Sequence, residues 1–389
     1  METFNMVAFW SAFATLLYVY VGFSLLVVVV GLLRNRRVRQ ADITPTVTLI
    51  IPVWNEENTI ASRLDNALSL DYPRERLEII VPSDGSDDDT ERIVARYGEQ
   101  GIKLMSFPRR GKIYALKDAV ATATGDILVF SDANSMYQHN ALKMLVRNFA
   151  DAEVGGVCGN QVYVKAKTAE ASSQGESLYW SYDKWLKQLE SRAGSIVSAH
   201  GAIYAIRRSL YQPPASAAVT DDFAISTAVV EQGYRLVFES EAIAYEEPTA
   251  TASKEFGRKV RIMNRGLRSV LLRKKLLNPF RYGFYSVELF SHKVLRRLVP
   301  FVLFIMLASS AVLSPASQFF MTVTVLQAGF YILALAGFLL RGNAFGRVKF
   351  FYVPFFYCLA NAAALVAICK LLSGRKVEFW QPQRHGSTV

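Results

Sequence analysis

Three apolar runs in this chain stop abruptly in acidic or amide residues, and nothing else in the sequence limits its fold as much. The first runs from Val47 through Pro52 and Val53 into Asn55 and Glu56. The second runs from Leu77 through Val81 into Ser83, Asp84 and Gly85, and the third from Ile127 through Phe130 into Asp132 and Asn134. Short β-branched runs of this kind read as buried strands of a parallel sheet. Such a sheet opens its ligand crevice at the carboxyl ends of its strands, so Asn55, Glu56, Asp84, Asp132 and Asn134 are expected along one edge. Helical spacing fills the gaps: Ile60, Leu64, Ala67 and Leu68, then 90–97, then 114–124. This alternation predicts an α/β domain with a mostly parallel sheet covered on both faces. Further on, the pattern predicts a helix over 141–149, a strand pair over 155–164 and a long amphipathic helix over 170–190. A strand-like stretch over 198–206, a helix over 221–232 capped by Thr220, and a returning strand over 233–244 complete the pattern.

The chain is 51% hydrophobic, and the excess sits at its two ends. Val7 to Leu33 is uncharged and longer than the about 20 residues a bilayer requires. It is also too long for a signal-peptide core. Arg34, Arg36, Arg37 and Arg39 come next and place the adjoining domain in the cytoplasm by the positive-inside rule. A basic helix over 254–275 and an aromatic amphipathic stretch over 280–295 read as interfacial. Apolar segments lie near 297–314, 318–340 and 350–372. Pro354 and Asn361 interrupt the last one, which predicts a kinked or re-entrant segment, with Arg375, Lys376 and Arg384 on the cytoplasmic side. The expected organisation is therefore 1–40 for the first membrane helix and linker, 41–250 for the α/β domain, 251–295 for interfacial helices, 296–373 for membrane segments and 374–389 for a tail. The net charge of +11 points to anionic lipid, and no nucleic-acid fold is recognisable. Cys158, Cys358 and Cys369 have neither zinc nor disulfide spacing and read as small apolar residues.

Several short motifs carry candidate chemistry, each beside a plainer alternative. Asp84 can accept hydrogen bonds from a ligand, or Asp84-Gly85 is only a turn and Asp88 a helix cap. Asp132 and Asn134 offer two oxygens, at i and i+2, to a hard cation, or form an Asx turn. Gly111-Lys112 either meets an anion or is a solvated basic loop beside Arg109 and Arg110. Thr220-Asp221-Asp222 opens a helix, where carboxylates are favoured, and adjacent acids can split their pKa values. His200 either touches a ligand or is a buried structural histidine. Arg258 and Arg261 share a helical face and meet either an anion or lipid. Tyr179, Trp180, Tyr182 and Trp185 form a stacking surface or belong to a core or interface. Trp380-Gln381-Pro382 carries no assignment.

In this order, over roughly residues 46–265, these motifs resemble the inverting family 2 glycosyltransferases. That membrane-integrated group has the GT-A fold and includes the cellulose, chitin and hyaluronan synthases. The resemblance implies a cytoplasmic GT-A domain with an N-terminal transmembrane helix, interfacial helices and C-terminal transmembrane helices, multi-pass in the inner (plasma) membrane. It implies that Pro52, Asn55, Glu56 and Asp84 hold the donor's uridine and ribose, and that Lys112 contacts the donor. Asp132, with Asn134, would carry Mg2+ or Mn2+ on the diphosphate, and Arg258 and Arg261 would meet that diphosphate too. Asp222, beside Asp221, would be the general base, with His200 and Gly201 on the acceptor side. Ser83 stands where the family often has an acid, and Ile262 where processive members have a Trp. The expected activity is that of a hexosyl- or N-acetylhexosaminyltransferase moving sugar from a UDP-sugar, with inversion, to a glycolipid or a growing extracellular polysaccharide. Transfer of one sugar to a polyprenyl phosphate or other lipid is the alternative. A polymer or lipid transporter with a nucleotide-sensing domain is the alternative of another class. The expected partners are the donor, a lipid-linked or polysaccharide acceptor and membrane lipid. A homo-oligomer or secretion partners are compatible, and no nucleic acid is expected.

Overall fold

The computed structural model describes residues 2–164, 172–216, 218–247, 252–343, 346 and 348–374, without the side chains of 172–181 and 252–255. Arg375, Lys376, Arg384, Trp380-Gln381-Pro382, the start of the 170–190 helix and the side chains of Tyr179, Trp180 and Lys254 thus lie outside the described residues. In chain order the main elements are α1 (Glu2–Arg34), β1 (Val47–Ile50), α2 (Ile60–Leu68), β2 (Leu77–Asp84), α3 (Thr90–Ala95), β3 (Ile102–Phe107), α4 (Lys112–Thr122), β4 (Ile127–Phe130), β5 (Met136–Tyr137) and α5 (Ala141–Val146). They continue with β6 (Val154–Tyr163), α6 (Ser172–Ala193), β7 (Tyr204–Arg207), α7 (Asp221–Glu231), β8 (Arg235–Glu246), α8 (Ala252–Leu272), α9 (Phe284–Ala316), α10 (Gln318–Leu339) and α11 (Lys349–Leu372). These fall into two compact units, one holding the sheet with α2–α7, the other holding α8, α10, α11 and most of α1 and α9.

The first unit is built on an eight-stranded sheet in the order β3-β2-β1-β4-β7-β6-β8-β5. The three runs are its core. β1 lies between β2 and β4, parallel to both, with Ile50 opposite Ile80 and Phe130. Every residue of β1 and β4 is buried, as expected for strands covered on both faces. Because the three strands are in this register, their acidic ends reach the same edge. β7 runs antiparallel to β4 with Tyr204 opposite Phe130, so the residues just before β7 arrive where those just after β4 leave. The stretch expected as a strand pair over 155–164 is a single strand, β6, running parallel to β8 with two register shifts. Those irregularities sit in its Gly155-Gly156 and Gly159 region, where a Cβ would strike neighbouring side chains or the Ala242 carbonyl. Of the 198–206 stretch only 204–206 is strand, within β7.

In the second unit, α1, α9, α10 and α11 are each long and apolar enough to cross a membrane. Phe9 of α1 packs with Leu313 and Phe320. Polar groups within these helices find partners nearby, as hydrocarbon surroundings require: the Tyr20 hydroxyl donates to the Tyr357 hydroxyl at 2.8 Å, and Gln327 Nε2 donates to the Leu303 carbonyl at 3.0 Å. α11 is one helix through both Pro354 and Asn361, so neither residue breaks it. Asn361 Nδ2 donates to the Tyr357 carbonyl at 2.9 Å. The interfacial stretch expected over 280–295 is broken at Gly283, which ends a short helix, Pro279–Tyr282, at φ +57; from Phe284 it runs into the next span as α9. α8 packs Val260 on Ala363 and Ala367 of α11, and Asn264 Nδ2 donates to the Ala367 carbonyl at 2.9 Å.

Candidate active site

The first two strand ends are joined to each other. Asn55 sits at φ +51, a left-handed conformation that Asn tolerates better than most residues. Its amide exchanges hydrogen bonds with Asp87, whose N–H donates to Asn55 Oδ1 at 3.0 Å, and Ser86 Oγ accepts from the Asn55 N–H at 3.1 Å. Glu56 is 5% exposed and accepts from Thr59 Oγ1. Pro52 is buried behind them, its neighbour Val53 donating to the Pro82 carbonyl at 2.9 Å. In this structure, then, Asn55 pins one loop to the next.

Asp84 is 2% exposed. Its Oδ1 accepts from the N–H groups of Arg110 and Gly111, both at 2.8 Å, and the Arg109 guanidinium stands 3.6 Å from Oδ2. The Asp84 carboxylate therefore shapes the loop that leads into α4. Gly85 makes the close approach possible: it has φ +69, and a Cβ there would lie 2.6 Å from the Arg109 nitrogen. Arg109 also lies over the Trp54 ring at 3.4 Å, a cation–π contact that sequence reasoning missed because a lone Trp after a strand carries no spacing signal.

The loop delivers Lys112 to the third strand end. Its Nζ lies 2.7 Å from Asp132 Oδ1 and 3.0 Å from Asp221 Oδ2. Thus the first residue of α4, the turn after β4 and the first residue of α7 meet at one ammonium. Burial works against this charge, but the two carboxylates outweigh it and hold the proton more tightly than on an ordinary lysine. Burial, with Asp221 next to it, pushes the Asp222 carboxyl up to about 6, and the Phe223 N–H opposes the shift. Thr220 occupies the N-cap position of α7 without a capping hydrogen bond from its side chain.

The acceptor-side expectation falls beside this cluster. A Cβ on Gly201 would lie 2.7 Å from Asp132 Oδ2, so the antiparallel β7 brings bare backbone against the carboxylate. The preceding residue, His200, has its Nδ1 buried without a hydrogen bond among the described residues. Burial first, then Lys187, hold its imidazole down to about 3, so it is neutral at physiological pH. Tyr182 and Trp185 are exposed on α6 with ring centroids 6.0 Å apart. Arg258 and Arg261 belong to the other unit, on α8. Burial, with Arg265 and Arg258 beside it, lowers the affinity of the Arg261 guanidinium for its proton.

As a cation site, Asp132 and Asn134 supply one partly exposed carboxylate and one exposed amide. Two oxygens on one turn suit a hard divalent ion that takes its remaining ligands from phosphate and water. Among the described residues no group of three or more His, Cys, Asp or Glu side chains gathers as a closed metal cage.

Residues 48–213 match the glycosyl transferase family 2 model. A poly-beta-1,6-N-acetyl-D-glucosamine synthase of Staphylococcus aureus is 27% identical over 205 residues, 51% of this chain and 49% of that protein. The chain thus spans about half the length of the curated relatives it first matches. A probable glycosyltransferase, YdaM, of Bacillus subtilis is 29% identical over 286 residues, 66% of each chain. Among solved structures, a mannosyltransferase from Pyrobaculum calidifontis in complex with GDP-Man and Mn2+ superposes with a TM-score of 0.66 at 23% identity, covering 96% of this chain and 99% of that one. The sheet, the motif order and these likenesses agree: residues 48–213 match glycosyl transferase family 2 on a sheet of GT-A fold, and among the described residues four helices are long and apolar enough to span a membrane.

Proposed function

We propose that this protein transfers a hexose or N-acetylhexosamine from a UDP-sugar, with inversion, to a glycolipid or a growing extracellular polysaccharide at the inner membrane. The observation that carries the reading is the meeting of Asp132, Lys112 and Asp221 at one edge of the sheet, with Asp222 next in line. Asp222 takes the proton of the acceptor hydroxyl as its oxygen bonds to the anomeric carbon, and the bond from that carbon to the diphosphate breaks on the opposite face. A carboxyl raised to about 6 is mostly ionised at neutral pH and more basic than an ordinary aspartate, which suits a general base. Asp132, with Asn134, would hold Mg2+ or Mn2+, and such an ion supplies charge neutralisation for the departing diphosphate. Lys112 supplies a further positive charge there. The relatives support the polysaccharide reading, since one is a poly-N-acetylglucosamine synthase. Ile262, standing where processive members carry a Trp, favours transfer of a single sugar to a lipid acceptor as the second reading.

The test is nucleotide release by the purified protein in native lipid, with a panel of UDP-sugars and GDP-Man and with Mg2+, Mn2+ or EDTA. Turnover with a UDP-sugar that EDTA abolishes, and a fall of at least about a thousandfold in Asp222→Asn, are expected from loss of a base. Wild-type rates in Asp222→Asn would refute its role, and turnover with GDP-Man alone would refute the donor.

A further inference from the structure

We propose that Asp132 and Asp221 together form the cation site of this domain, and that the Lys112 ammonium occupies it until a divalent ion arrives with the nucleotide. The proposal rests on the reading of the domain as a metal-using nucleotide-sugar transferase, and adds Asp221 as a cation ligand. Two carboxylates from separate elements, the turn after β4 and the start of α7, approach the same nitrogen at 2.7 and 3.0 Å. Their side chains, and that of Lys112, are only 32%, 16% and 12% exposed. Carboxylates brought this close repel unless a cation stands between them. An ammonium meets that need as a compact point charge, and oxygen ligands from both acids suit a divalent ion better.

A second observation points to a ligand at the same place. The Tyr204 side chain is 1% exposed, and its hydroxyl makes no hydrogen bond among the described residues. Its ring stacks on Phe130, two residues before Asp132, at 4.8 Å. The charges of Asp221, Asp222 and Asp132 all bear on that hydroxyl. A buried hydroxyl left unpaired is costly, and here it stands as a ready donor beside the pair. Gly201, lacking a Cβ, leaves the other side of the Asp132 carboxylate clear.

The cluster also imposes an order of binding. A divalent ion entering alone must expel Lys112 from both carboxylates and leave a shielded ammonium without its counter-charge. An ion arriving with a nucleoside diphosphate brings new oxygens for that ammonium. The cation is therefore bound weakly by itself and tightly with the nucleotide.

The experiment measures Mn2+ binding to the purified full chain in lipid nanodiscs by the loss of the free-ion EPR signal, alone and with UDP or GDP. Wild type should bind Mn2+ alone at least about tenfold more weakly than with nucleotide. Lys112→Met should bind Mn2+ alone about tenfold more tightly than wild type, whereas Lys112→Arg, which keeps the charge, should not. Asp221→Asn should weaken Mn2+ binding in the presence of nucleotide about tenfold or more, the scale on which metal sites respond to lost partners. No gain in Lys112→Met overturns the part given to Lys112, and unchanged affinity in Asp221→Asn overturns the part given to Asp221. Wild type that binds no Mn2+ with either nucleotide overturns the reading of a metal-using domain itself, and the proposal with it.

Discussion

Arg63 shows how much this edge of the sheet depends on buried side chains. It is fully buried on α2, donates to Ser131 Oγ at 3.1 Å and Asn66 Oδ1 at 3.2 Å, and lies over the Tyr137 ring at 4.6 Å. Burial pulls its guanidinium down to about 10, so it stays charged at neutral pH. Among the described residues it has no carboxylate partner. Arg63→Ala should cost on the order of 3 kcal/mol, from the cavity and the stranded polar groups. Arg63→Met should lose less than half of that, because an apolar chain refills the space without a buried charge. Denaturant melts of the two variants would check both. His200 makes a pH prediction. Its folded-state pKa is depressed to about 3, while an unfolded histidine titrates near 6.5. The unfolded chain therefore binds the extra proton across that window. Stability should be unaffected above pH 6.5 and should fall as pH drops from about 6.5 toward 3. His200→Gln should flatten that part of the stability curve, read from thermal melts at several pH values. Arg63 was not legible in the sequence, since an arginine in an amphipathic helix reads as a solvent face; only packing shows where it points.

At the scale of elements, loops rather than strands make the site. The three runs and their common edge were legible because buried parallel strands declare themselves as apolar runs, and the register then aligns their ends. The work of Asn55 and Asp84 was not legible. Beside the donor-binding role expected of them, in this structure their polar atoms tie the β1 loop to the β2 loop and the β2 end to the start of α4. Such pairings join residues about 30 positions apart, and local spacing cannot encode them. Gly85 is the hinge of this arrangement. Gly85→Ala would strain a φ of +69 and press on the Arg109 backbone, pulling the N–H groups of Arg110 and Gly111 off Asp84 and turning Lys112. Nucleotide affinity should fall at least about tenfold, equivalent to 1.4 kcal/mol, while the circular-dichroism spectrum keeps its α/β shape. A spectrum lost together with binding would instead make Gly85 a requirement of the fold.

For the whole molecule, hydropathy made the membrane helices legible but misjudged the last one. Pro354 and Asn361 suggested a break, whereas α11 runs unbroken for 24 residues, about 36 Å at 1.5 Å per residue. If all four helices cross, the chain beyond 374 continues on the opposite side of the membrane from the residues just beyond α1. Ser387, itself outside the described residues, tests this: Ser387→Cys in a background lacking Cys158, Cys358 and Cys369 should react with an impermeant thiol reagent on intact cells. Protection until the cells are opened would restore the re-entrant segment and the cytoplasmic tail expected from its charge. The reversed direction of β7 has a different kind of consequence. A strand that runs forward presents the residues beyond its end, and a strand that runs backward presents the residues ahead of its start. One rim of the sheet is therefore written in two distant passages of text, 47–134 and 199–222, which meet where Lys112 stands between Asp132 and Asp221. The two passages share one knot of charge, so a change at Asp221 must be answered at Lys112 or Asp132, and there the two stretches of text can only be revised together.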